Sequence, residues 1–185
     1  MTFAEHLERA YPDSVHEDFA SARAAVEDVV PGFRVRRIAP ASSGEPWVYA
    51  TNGASVAIDD DEDGAEYVLL APAADPVLVE MLAALATVNA DPHRRLGVGS
   101  IVALKRPWTG TATAENLLVL PPYVFGPGFE VYEPPGEDRR IVVLWLVPIT
   151  SSEARFVRLH GVQKFEELMQ RSEANLVSPR RPPIV

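Results

Sequence analysis

Carboxylates and histidines are where chemistry would begin in this chain. Asp59, Asp60, Asp61, Glu62 and Asp63 form an unbroken acidic run, the donor type that holds a hard cation. A calcium loop alternates its ligands and closes on a trailing Glu, and this run does neither, so it reads as a solvated loop. His6, His16, His93 and His160 fall in separate segments, without the HxH, HxxxH or HExxH spacing that aims two imidazoles at one metal. No metal ligand set is expected. Glu45 and Glu66 illustrate the paired carboxylates that acid–base catalysis uses. Among 26 acidic residues, however, such pairs arise from composition alone, and a working pair would need a pocket and raised pKa values.

Nucleophile and phosphate motifs are missing as well. Gly53-Ala54-Ser55 lacks the GxSxG pattern of a nucleophile elbow, and no Ser-x-x-Lys occurs. Gly97-Val98-Gly99 has neither the third glycine of a dinucleotide fingerprint nor the lysine of a P-loop, and reads as a turn entering a strand. With no cysteine at all, thiol catalysis, disulfides and iron–sulfur ligation are excluded, which fits a reducing cytoplasm. The expectation is a chain with no catalytic residue and no cofactor.

Aromatic residues are the better candidates for function. Trp47 and Tyr49 share one face of a strand, the position of core packing. Trp108, Tyr123, Phe125 and Phe129 lie in or beside Pro/Gly-containing loops, where an aromatic either anchors a protein interface or packs a satellite of the core.

These residues must be held by elements whose pattern changes along the chain. Residues 1–30 read as two helices, with Phe3, Leu7 and Ala10 in the first and Val15, Phe19, Ala22, Val26, Val29 and Val30 in the second. Pro12 marks the join, Asp13 or Ser14 the cap, and Pro31-Gly32 the end. From Phe33 the period becomes two, which suggests an edge or half-exposed strand over 33–38. A strand over 47–50 runs into Thr51-Asn52-Gly53, a strong hairpin signal, with a return strand expected over 54–58. A further strand over 66–71 leads to a helix over 77–89, capped by Asp75, whose broad stripe is Val77, Leu78, Met81, Leu82, Leu85 and Val88. Strands over 98–104 and 116–120 flank the loop 105–115, and 129–132 forms a short strand. The almost wholly apolar stretch 140–147 is a strand covered on both faces, ended by Pro148. Thr150 and Glu153 then make a capping box. One helix ends at Gly161, another spans 162–170, and 171–185, with three prolines, reads as a mobile tail.

Helices, strands, a helix, strands and two closing helices give no regular βαβ alternation. That order predicts a single α+β domain over 1–170 with a mixed, mainly antiparallel sheet. A net charge of −9 and a pI near 4.9 disfavour nucleic acid and anionic membranes, and favour encounter with a basic protein. The longest apolar run, 141–149, has strand length, so neither a membrane span nor a leader is expected.

Two segments carry a resemblance. Tyr49, Thr51, Asn52, Gly53 and Ser55 form Y-x-T-N-G-x-S; about ninety residues on, Leu146 to Thr150 with Glu153 form L-V-P-I-T-x-x-E, followed by His160-Gly161. With the strand over 66–70 and the helix over 77–89 between them, they resemble the suppressor-of-fused domain of the short bacterial type, over residues 25–170. The resemblance implies a protein-interaction role. Animal members sequester a transcription factor through peptide recognition, and short bacterial members are associated with immunity to polymorphic toxins. It implies no catalytic site. The leading expectation is therefore a cytoplasmic domain that occludes another protein, such as a toxin. A homo-oligomeric regulatory domain and a carboxylate-dependent enzyme stand as alternatives.

Overall fold

In a computed structural model that describes residues 2–56, 63–104, 106–110 and 112–185, the chain runs α1 (Phe3–Ala10), β1 (His16–Phe19), α2 (Ala24–Val29), β2 (Arg34–Ile38), β3 (Trp47–Asn52), β4 (Gly64–Ala71), α3 (Val77–Asn89), β5 (Ile101–Ala103), β6 (Asn116–Leu120), β7 (Val131–Tyr132), β8 (Ile141–Ile149), α4 (Ser151–His160) and α5 (Val162–Arg171). The strands form a single sheet in the order β1-β2-β3-β4-β8-β6-β5, with β7 beside the start of β8. Every pairing is antiparallel except that of β4 with β8. This is the expected α+β domain with a mixed, mainly antiparallel sheet.

Alternation along β8 shows why that strand had to be central. Val143, Trp145, Val147 and Ile149 point to one face, where Phe3 and Leu7 of α1, Ala154 and Val157 of α4 and Phe165 of α5 cover them. Leu144 and Leu146 point to the other, under α3 and α2, with Leu78, Leu82 and Val26. Helices thus cover both faces, and a strand buried on both has no polar alternation to show.

Pro148 does not end β8 as expected; it lies within the strand, opposite Leu117 of β6. A residue's N–H and C=O point to the same side of a strand. The Pro148 carbonyl accepts from Arg181 Nη2 at 3.0 Å, so the side without an N–H faces the flank where pairing with β4 has already stopped, at Leu69 opposite Leu146. No ladder bond is lost, and proline is tolerated there.

The second expected helix is corrected too. Residues His16–Phe19 form the edge strand β1, leaving only Ala24–Val29 helical, and β2 lies one strand in from the edge. Cross-strand charge builds β1: Glu17 faces Arg37 and Asp18 faces Arg36. The Arg36 guanidinium holds Asp18 with two bonds, at 2.8 and 2.6 Å. Opposite charges in register stabilise a strand pair, and a helical count of apolar residues cannot see them. Helix α1 carries its own capping box, Thr2 with Glu5.

Candidate functional site

The Asn-Gly turn after β3 does not lead straight into a return strand. Its residues to Val56 form a turn, and β3 pairs with β4, which begins at Gly64. The expected strand positions 57 and 58, and the acidic residues Asp59 to Glu62, lie outside the described residues. What the turn does is wrap the Glu66 carboxylate. Glu66 is 1% exposed. It accepts from Thr51 Oγ1 at 2.5 Å, from the amides of Gly53, Ala54 and Ser55 at 2.9, 3.3 and 3.2 Å, and from Ser55 Oγ at 2.8 Å. Gly53, at φ 109°, supplies the backbone conformation that aims those successive amides at one anion. Tyr49 is buried, its hydroxyl bracketed by the N–H and C=O of Asp75.

The second motif surrounds a second buried carboxylate. Thr150 and Glu153 form the predicted capping box, and Glu153 is fully buried. Its Oε1 accepts from Arg181 Nη1 at 2.6 Å and from the Ile184 amide at 2.9 Å; its Oε2 accepts from Arg181 Nη2 at 2.9 Å and the Thr150 amide at 2.7 Å. Burial alone would raise this carboxyl's pKa, but the bonds from Arg181, Thr150 and Ile184 outweigh it and hold the group below its ordinary range. The final residues, expected as a mobile tail, are accordingly docked: Arg181 is 6% exposed, and the Thr113 amide donates to the Pro179 carbonyl at 2.9 Å. Glu45, by contrast, sits on the surface with Ser42 and Ala41 as partners. Glu45 and Glu66 are thus held apart, each by its own donors.

The four loop aromatics are not brought together. Trp108 is 2% exposed and packs on the α3 side of the sheet. Phe129, on the opposite side, is 3% exposed. Phe125 is half-buried and stacks on it at 4.7 Å. Tyr123 alone is well exposed, and its hydroxyl donates to Glu166 at 3.0 Å. Trp108 and Phe129 therefore follow the packing alternative, and only Tyr123 with the rim of Phe125 offers surface. Trp47 is half-buried beneath the Arg37 guanidinium, 5.2 Å from its ring.

The concave apolar surface lies elsewhere, between α3 and the sheet's edge strand. A groove of about 920 Å³ is lined by Val77, Met81, Leu85 and Val88 of α3, by Leu96, by β5 with Leu104, and by Trp108 and Leu117. The α3 stripe is broader than one helix face needs. Leu78 and Leu82 are sunk in the core, while Val77 and Met81 turn toward the groove. Two sequence features meet here, that excess width and Trp108, one of the four loop aromatics, whose ring is buried in the groove wall.

Strand β5 forms the sheet's edge opposite β1, because among the described residues β6 is its single neighbour. The Leu104 amide donates to Glu115 O at 2.8 Å, so by alternation Val102 also faces β6 while Ile101 and Ala103 turn their N–H and C=O outward. The groove floor thus ends at a row of backbone groups with no partner among the described residues.

The sequence profile described as Suppressor of fused protein (SUFU) matches residues 31–182. Among solved structures, a SUFU homologue from Neisseria gonorrhoeae FA 1090 superposes with a TM-score of 0.86 at 24% identity, over 98% of this chain and 94% of that one. A chain of the Sufu–Fu complex gives 0.67 at 13% identity, over 92% of this chain and 83% of that one. Drosophila Suppressor of Fused gives 0.65 at 11% identity over 92% of this chain, which spans 46% of the Drosophila protein. At these identities the likeness is one of fold. No curated protein matches the sequence.

Proposed function

The chain belongs to the suppressor of fused family, and on that footing we propose that it is a protein-binding domain that takes an extended segment of another protein along β5. The N–H and C=O groups of Ile101 and Ala103, turned outward beside an apolar groove and unpaired among the described residues, carry this reading. An added strand would pair with those groups while alternate side chains enter the groove. A relative of the same fold was crystallised in the Sufu–Fu complex. Neither buried motif carboxylate has a role in this binding; each supports the fold.

The test is Ala103→Pro. Ala103 is exposed and its N–H points away from β6, so proline there removes an edge donor without breaking the β5–β6 ladder. Partner binding should fall at least tenfold, the loss of about 1.4 kcal/mol or more that one backbone bond and a displaced strand entail. Thermal unfolding should shift little. Binding equal to wild type would remove the strand-addition reading.

As the partner we propose a toxin domain, with the chain acting in the cytoplasm as an immunity protein that neutralises by occlusion. The absence of cysteine, the size shared with the Neisseria protein and the lack of a nucleophile or phosphate-binding motif in the sequence support this. A toxin gene encoded beside this chain is the first to assay. Its product should arrest growth alone, be tolerated with the wild-type chain, and arrest growth again with Ala103→Pro; arrest in all three arms would exclude it.

A further inference from the structure

We infer, on the footing of the groove as a site for an extended segment, that the segment it takes carries acidic side chains on either side of an apolar centre. The chain as a whole argues the reverse, since a net charge of −9 favours a basic partner. The lining of the groove has the opposite sign: Arg23, Arg94 and Arg106 against Glu80, a local excess of two positive charges.

Two of those four charges are already occupied. Glu80 accepts from Ser21 Oγ at 2.9 Å and the Ala22 amide at 2.8 Å, with Arg23 Nε at 3.4 Å, which joins the segment before α2 to α3. The other two stand open. Arg94 and Arg106 are exposed, and neither has an ion-pair partner among the described residues. Arg94 enters the lining from the turn that precedes β5 and Arg106 from the loop that follows it. A strand laid along β5 would therefore share the groove with two open cations and with apolar walls from Met81, Val88 and Leu104.

Distance decides between the local and the global charge. At physiological ionic strength the screening length is about 8 Å, so charges spread over the rest of the surface are damped while a carboxylate at the groove rim meets the guanidinium directly. Arginine also suits this role, because its planar fork binds a carboxylate through two bonds. Exposed pairs are individually weak, so their effect lies in selecting among segments and not in bulk affinity.

The two charge scales predict opposite results, which makes the experiment decisive. Three blocked nine-residue peptides with one common Val/Leu centre, flanked by glutamate, glutamine or lysine, would be titrated into the full chain by calorimetry, with amide shifts of residues 101–104 locating the site. The glutamate peptide should bind best and the lysine peptide worst, separated by about five- to tenfold. The double variant Arg94→Glu/Arg106→Glu should reverse that order. Equal binding, or a preference for lysine in the wild type, would overturn the inference and leave the groove standing. If none of the three peptides moves the β5 amides at millimolar concentration, the strand-addition reading falls and takes the acidic preference with it.

Discussion

Arg181→Ala is expected to lower the free energy of unfolding by about 3–5 kcal/mol, the cost of leaving one partner of a buried ion pair behind. The Glu153 carboxylate is fully buried, and Arg181 supplies one bond to each of its oxygens. After truncation only the Thr150 and Ile184 amides remain to hold the charge. Arg181→Lys should recover little, because a point charge cannot reproduce the two-pronged contact and the bond to the Pro148 carbonyl together. Urea denaturation measures the loss. A cost below about 1 kcal/mol, the range of exposed pairs, would mean that residues 172–185 are a tail in solution after all. Loss of the pair should also speed hydrogen exchange at Thr113, which binds the same strap through the Pro179 and Arg181 carbonyls. The pH dependence has a definite sign. Glu153 titrates below its ordinary value of 4.5 when folded, so its contribution is full above that value and is lost as pH falls through the lower, folded one. Glu153→Gln should flatten that acid limb relative to wild type.

What could be read from the sequence divides along the range of the interactions involved. The capping box at Thr150 and Glu153 was legible because its partners are three residues apart, and β6 and β8 because an unbroken apolar run of strand length admits few other readings. The same Glu153 has its guanidinium partner 28 residues later, in a proline-containing stretch with no periodicity, so that stretch read as a tail. Strand β1 went unread because charges in register with β2 build it, while Val15 and Phe19 happen to fit a helical count. For Trp108 its Pro/Gly neighbours leave interface anchor and packing equally open; its burial depends on α3 arriving from residues 77–89. The groove had a faint trace in the excess width of the α3 stripe, but its edge strand and rim arginines become neighbours only once β5 is placed at the end of the sheet. Of the segments that carry the family resemblance, the cap stands as expected, and the turn stands without the return strand expected from residue 54. That each wraps a buried carboxylate was not visible, because in the turn the carboxylate comes from another strand.

Glu66 tests whether those signature residues serve the fold or the binding surface. Glu66→Gln is expected to cost about 3–5 kcal/mol, since a carboxamide keeps one acceptor oxygen and turns an NH₂ group toward donors, leaving several of the five buried groups unpaired at roughly 1–3 kcal/mol each. Those groups are Thr51 Oγ1, Ser55 Oγ and the amides of Gly53, Ala54 and Ser55. Gly53→Ala should cost less, about 1–2 kcal/mol, for forcing a side chain to φ 109° with Phe33 Cα 3.4 Å from the new methyl. None of these residues lines the groove beside β5. Binding measured per folded molecule should therefore survive Glu66→Gln, at a temperature low enough to keep the variant folded, while stability collapses. Ala103→Pro should do the reverse, sparing stability and losing the partner. A Glu66→Gln protein that unfolds within 1 kcal/mol of wild type, the range of an ordinary surface change, would show that the turn is not organised around the carboxylate. One that stays folded but loses the partner would move the binding site from the edge strand to the turn.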